Sequence, residues 1–110
     1  MLYYYLTAHE EYGPRAKSLL EEYSGLLATS ALTAWLLYVL TKVERVDQIL
    51  AELEIELLPL TAAVLRRASR LEKPRDFEDR IHLATMLEHG IDTILSNDKD
   101  FDAAGVRRVF

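Results

Sequence analysis

Four aspartates near the end of the chain, Asp79, Asp98, Asp100 and Asp102, have the residue type and spacing for chemistry at a cation. Carboxylates held close together raise one another's proton affinity unless a positive charge sits among them. Hard oxygen donors of this kind select Mg²⁺ or Mn²⁺ over softer ions. The same residues also suit structural work: an aspartate at a helix start satisfies orphan N–H groups, and Asn97-Asp98-Lys99-Asp100 is good turn chemistry. The two uses differ in what they require of the fold, because only the first needs distant carboxylates to converge.

The elements that must position them lie in the stretch DFEDRIHLATMLEHGIDTILSNDKDFD, residues 76–102. The pattern predicts a helix from about Asp79 to His89, with Asp76 or Asp79 capping its first turn. Gly90 stands where a left-handed residue ends a helix, and Ile91 can fold back onto that end. Thr93-Ile94-Leu95 then reads as a short strand of a parallel sheet, with Ser96 to Asp100 leaving its carboxyl end. Ligands bind at that edge of open α/β sheets, so Asp79 at a helix start and Asp98 and Asp100 past a strand are the candidate site residues.

The preceding residues read as alternating helices and short apolar strands. Pro14 opens a helix to about Tyr23, with Ala16, Leu19, Leu20 and Tyr23 as its apolar stripe. Leu26 to Thr29 is a predicted strand, and Ser30 caps a helix through Lys42 that is apolar nearly all round and so expected to be buried on most faces, Trp35 included. A helix over about Val43 to Leu53, a strand over Ile55 to Leu58 and a Thr61-capped helix to about Glu72 follow. On that last helix Val64, Leu65, Ala68 and Leu71 form the buried stripe. Arg66, Arg67 and Arg70 form a basic face that continues into Lys73 and Arg75, a solvated face by default and a phosphate-positioning patch otherwise. Val106 to Phe110 is the last strand. The order implies the α/β class: a single domain built as a three-layer α/β/α sandwich with a parallel sheet.

Composition narrows the function classes. Half of the 110 residues are apolar and 28% are charged, as in globular chains. The net charge of −5 argues against a general nucleic-acid coat protein, whose affinity comes from Lys and Arg displacing counterions. It leaves room for a metal-dependent nuclease, whose acids are neutralised by ions. There is no cysteine, which excludes disulfides and thiolate metal sites and fits a cytoplasmic setting. The longest wholly apolar run, Ala34 to Leu40, is far too short to span a bilayer, and no charged segment precedes an apolar leader. No Gly-rich phosphate loop, Ser/His/Asp set or dinucleotide fingerprint is present. His82, one turn beyond Asp79, reads as a surface or supporting residue rather than a ligand. Tyr3, Tyr4 and Tyr5 read as core and subunit interface rather than as a base-stacking platform.

Phe77-x-Asp79-x-x-x-x-Ala84 followed by Ser96-x-Asp98-x-Asp100-Phe101 resembles the second half of a PIN domain, the small α/β nuclease family that includes VapC-like toxins. The resemblance implies a ribonuclease that gathers about four acids around one or two Mg²⁺ or Mn²⁺ ions. Asp79 and Asp98 would be metal ligands, Asp100 an auxiliary carboxylate, and Ser96 would take the family's Thr or Ser position. It implies an RNA substrate, a homodimer and a small antitoxin protein lying over the acidic groove, with Arg75 or Arg80 positioning phosphate. Two family acids have no counterpart. The Asp-Thr-Asn that ends the family's first strand is absent, and Met1-Leu2-Tyr3 falls where the following helix is already under way, so the chain is expected to be N-terminally truncated. The family's helix Glu would fall at Trp35 or Leu36, and Glu44 lies about two turns too late at 3.6 residues per turn. The alternative implied by those absences is a catalytically degenerate scaffold that binds a partner or RNA without cutting. A receiver-like signalling domain is a third reading, weakened because no Asp ends an early strand.

Overall fold

A computed structural model describes residues 1–110, and its contacts divide the chain into two compact units, Met1–Pro59 with Phe110, and Leu60–Val109. The first unit holds α1 (Leu2–Leu6), α2 (Gly13–Glu22), β1 (Ala28–Ser30), α3 (Ala31–Thr41), α4 (Val46–Glu52) and β2 (Glu56–Leu58). β1 and β2 pair in parallel with Thr29 opposite Leu57. Pro14 falls in the first turn of α2, where its missing N–H costs nothing. Ser30 caps α3 by accepting the Thr33 N–H at 3.2 Å, and Lys42 ends that helix in the left-handed region at φ +60°. Leu20, Leu37, Val46, Leu50 and Ile55 form the core of this unit, with Leu27, Leu53 and Tyr38 packed around it. Tyr4 stands among His9, Tyr12 and Phe110, with ring centroids 4.9, 5.0 and 6.2 Å away, and the Arg15 Nε donates to the Phe110 carbonyl at 3.0 Å.

One expectation for this unit is overturned. α3 is not buried on most faces: Leu37 is its single buried residue, while Trp35 and Leu40 are about 60% exposed and Val39 sits beside them at 40%. An all-apolar helix reports only that water is unfavourable on every face, not which neighbour covers each one. Trp35 is therefore a surface residue, lying 5.4 Å from the Tyr38 ring.

The second unit holds α5 (Ala62–Arg70), α6 (Phe77–Glu88), β3 (Thr93–Leu95), a 3-10 helix (Lys99–Ala104) and β4 (Arg107–Val109). Thr61 caps α5 through the Val64 N–H, and α5 buries Val64 and Ala68 but leaves Leu65 exposed. α5 and α6 pack against each other, and Arg67 reaches Glu88 at 3.0 Å. α6 buries Ile81, Leu83, Ala84 and Met86 together with Thr85, whose hydroxyl donates to the Ile81 carbonyl at 2.8 Å. Gly90 takes φ +66° and the Ile91 N–H returns to the Met86 carbonyl at 2.9 Å, closing the helix as its sequence foretells. β3 and β4 pair in parallel with Ile94 opposite Arg108. The class is thus α/β with parallel pairing, present as two two-stranded sheets.

Candidate metal centre

The site is assembled inside the second unit from two places, the first turn of α6 and the crossover between β3 and β4. At α6 the capping work falls to Asp76, whose Oδ1 accepts the Glu78 N–H at 3.0 Å. Asp79 is the third helical residue and is not the cap, so its carboxylate is left available. On the crossover, the Ser96 hydroxyl accepts the Asp98 N–H at 3.0 Å, and Asp98 Oδ1 accepts the Asp100 N–H at 2.9 Å. Asp98 thereby caps the 3-10 helix and keeps lone pairs in reserve, since a carboxylate offers about four acceptor sites. Phe101, only 3% exposed, turns inward and leaves its neighbours Asp100 and Asp102 on the outer side.

These two places bring Asp79, Asp98 and Asp100 together: one oxygen from each lies within 4.8 Å of the others. Opposite ligands of a Mg²⁺-sized ion with bonds near 2.1 Å are about 4.2 Å apart. Three ligands on one octahedral ion include at most one opposite pair, and adjacent oxygens stand about 3.0 Å apart, so closing the set onto one ion asks for contractions of up to ~1.8 Å, supplied by side-chain rotation. Electrostatics agree with geometry. Burial first, then the charges of Asp98, Asp76, Glu78 and Asp100, push the Asp79 carboxyl up from 3.8 to about 6. Such a group is short of positive charge, and the all-oxygen donor set suits a hard divalent cation.

The remaining candidates divide. Asp102 is not part of the set; it binds Arg108, Oδ1 to Nε at 2.8 Å, and this hydrogen bond holds its carboxyl below the usual range. His82 is also outside the set. Its Nε2 lies 3.8 Å from Glu78 Oε1, spacing that would suit an ion pair, yet burial pushes the imidazole below its ordinary value. Desolvation outweighs the neighbouring carboxylate, so the contact is one between a neutral ring and Glu78 at pH 7. Arg80 does not reach outward: its Nη1 donates to the Leu71 carbonyl at 2.9 Å and its guanidinium lies 5.1 Å from the Phe77 ring centroid. Arg75, Arg66 and Arg70 are exposed. Sequence reasoning passes over Arg108, because nothing in an Arg six residues past an Asp marks the pair until β4 folds back beside β3.

A family model described as PIN domain matches residues 1–106, and the chain belongs to the PIN domain family. The family carries a nuclease-type fold and is generally associated with RNA and with divalent metals. No curated protein and no solved structure matches the chain. No helix is long and apolar enough to cross a membrane.

Proposed function

We propose that this chain is a metal-dependent endoribonuclease of the VapC-like toxin type, hydrolysing RNA phosphodiester bonds with Mg²⁺ or Mn²⁺ held by Asp79, Asp98 and Asp100. The observation that carries the reading is the convergence of those three carboxylates to within 4.8 Å from the two ends of the stretch 79–100. A divalent ion held by these three carboxylates would supply the chemistry of water activation and of charge neutralisation at the scissile phosphate. The chain's own residues do the rest. Asp76 takes the helix cap and spares Asp79, Ser96 and Asp98 shape the crossover, and the exposed Arg75 offers a charge to orient phosphate.

The partners follow from the same reading. The apolar face of α3 carrying Trp35, Val39 and Leu40 supports a homodimer, because a contiguous exposed apolar patch marks an interaction surface. A small antitoxin would lay a segment over the acidic groove and oppose RNA there. The setting would be cytoplasmic, consistent with a chain that uses no cysteine.

One observation favours the degenerate-scaffold reading: the position expected to bear the family's Glu holds the exposed Trp35 or the half-buried Leu36, neither able to bind a cation. Cleavage of single-stranded RNA with Mn²⁺ or Mg²⁺, run beside Asp98→Asn, separates the two. Cutting that the substitution abolishes supports the ribonuclease. Equal background from both proteins supports the scaffold.

A further inference from the structure

β3 and β4 run parallel, and the eleven residues between them, 96–106, make the whole crossover. Parallel neighbours usually need a dozen or more residues and a full α-helix to make that return. Here the return is a 3-10 helix, Lys99–Ala104, whose hydrogen bonds are poorer than those of an α-helix. It ends at Gly105 in the left-handed region, at φ +76°. Yet this return carries two of the three clustered carboxylates, Asp98 as the cap of the 3-10 helix and Asp100 within it. Something outside it must hold it in place.

We infer that Arg108 is a positioning residue for the cation site, pinning the two sides of the stretch 98–100 to β4 so that Asp98 and Asp100 are delivered towards Asp79. The guanidinium makes three contacts. Nε donates to Asp102 Oδ1 at 2.8 Å, Nη2 to Asp102 Oδ2 at 3.4 Å, and Nη1 to the Ser96 carbonyl at 3.2 Å. Ser96 lies two residues before Asp98 and Asp102 two residues after Asp100, so the clamp brackets the ligand-bearing segment. Its anchor is firm: Arg108 stands opposite Ile94 in the sheet, and the neighbouring Val109 carbonyl accepts the Ser96 N–H at 3.0 Å. Phe101 supplies the inward pin between the two ends. The planar fork of arginine is what lets one side chain serve a carboxylate edge-on and a carbonyl together, which lysine does not reproduce.

This inference rests on the proposal that Asp79, Asp98 and Asp100 bind a divalent ion, and it makes a prediction of opposite sign to simple electrostatics. Arg108 is a cation near a cation site, and Asp98 lies close enough to act on it through its charge. Removing it as a mere charge would tighten ion binding. Removing it as a clamp loosens binding, and groups that orient metal ligands cost about 10–100-fold in affinity when lost.

The experiment is calorimetric titration of Mn²⁺ into the wild type, Arg108→Gln, Arg108→Lys, Asp102→Asn and the Arg108→Gln/Asp102→Asn double variant. It is run at a temperature where circular dichroism shows each protein folded. Arg108→Gln and Arg108→Lys are expected to bind Mn²⁺ about 10–100-fold more weakly, Asp102→Asn to weaken in the same direction, and the double variant to be no worse than Arg108→Gln. Lysine keeps the charge, so its failure to rescue separates clamping from electrostatics. Affinity equal to or tighter than wild type in Arg108→Gln and Arg108→Lys overturns the inference while leaving the metal site intact. A wild type that binds no Mn²⁺ at millimolar concentration overturns the metal site itself, and this inference with it. Should Arg108→Gln fail to fold, Arg108→Lys and Asp102→Asn decide the question.

Discussion

Acidifying from pH 7.5 to pH 5 should weaken Mn²⁺ binding about tenfold, with the proton on Asp79 as the competitor. The Asp79 carboxyl is pushed up to about 6 by burial and by its acidic neighbours. At pH 7.5 a group of that kind is almost wholly ionised, and an ion meets no competition. At pH 5 it is roughly nine-tenths protonated, so binding must expel a proton and the apparent affinity falls by a factor of ~10, or ~1.4 kcal/mol. At an ion concentration 100 times the neutral-pH Kd, the stabilisation of the folded chain drops from ~2.7 to ~1.4 kcal/mol. The ion-free protein should show the opposite trend from this residue. Its raised value means the stability it contributes is complete below pH 3.8, where both states are protonated, and is lost as pH rises through about 6. Raising a carboxyl from 3.8 to about 6 corresponds to ~3 kcal/mol, which solvent screening of a partly buried group cuts to the order of 1 kcal/mol. Asp79→Asn should thus leave the ion-free melting temperature at pH 7.5 unchanged or slightly raised, the lost helix-dipole interaction offsetting part of the gain. Titration calorimetry at pH 5, 6 and 7.5 in two buffers of different ionisation enthalpy measures both affinity and proton release. An affinity that changes less than twofold across that range, with no proton released at pH 5, refutes the reasoning.

Other expectations are simpler. Ser30→Ala removes the cap of α3 and should cost about 1 kcal/mol in denaturant unfolding, as should Thr61→Ala at α5. Leu50→Ala, at a side chain 1% exposed in the core of the first unit, should cost about 2–5 kcal/mol, read as a lower midpoint in urea. With the side chain 60% exposed, Trp35→Asp should leave circular dichroism unchanged and convert the proposed homodimer to a monomer in sedimentation; a Trp35→Asp chain that still sediments as a dimer removes α3 from the proposed interface.

Much of the scaffold is legible in the chain because its signals are local. A hydroxyl before an apolar helix makes Ser30 and Thr61 caps, and Gly90 followed by Ile91 closes α6, since each involves atoms a few residues apart. The strand Thr93–Leu95 is visible for the same reason. Other boundaries move: the helix expected from about Val43 begins at Val46, and the strand expected from Leu26 begins at Ala28, because Gly25 and the loop before Val46 take conformations that apolar content does not report. The exposure of α3 is hidden on similar ground, since an apolar surface states what it avoids and not what covers it.

Read without coordinates, the chain specifies the inventory of the site: which acids are present, that Asp79 lies in the first turn of a helix and that Asp98 and Asp100 follow a strand. Tertiary structure decided which of them meet. Asp76 rather than Asp79 became the cap, Asp102 turned to Arg108 instead of joining its neighbours, and His82 became a partly buried neutral ring. Those outcomes depend on the parallel return of β4 beside β3 and on burial around α6, and both are set by contacts between residues far apart in the chain, where spacing along the sequence carries no distance.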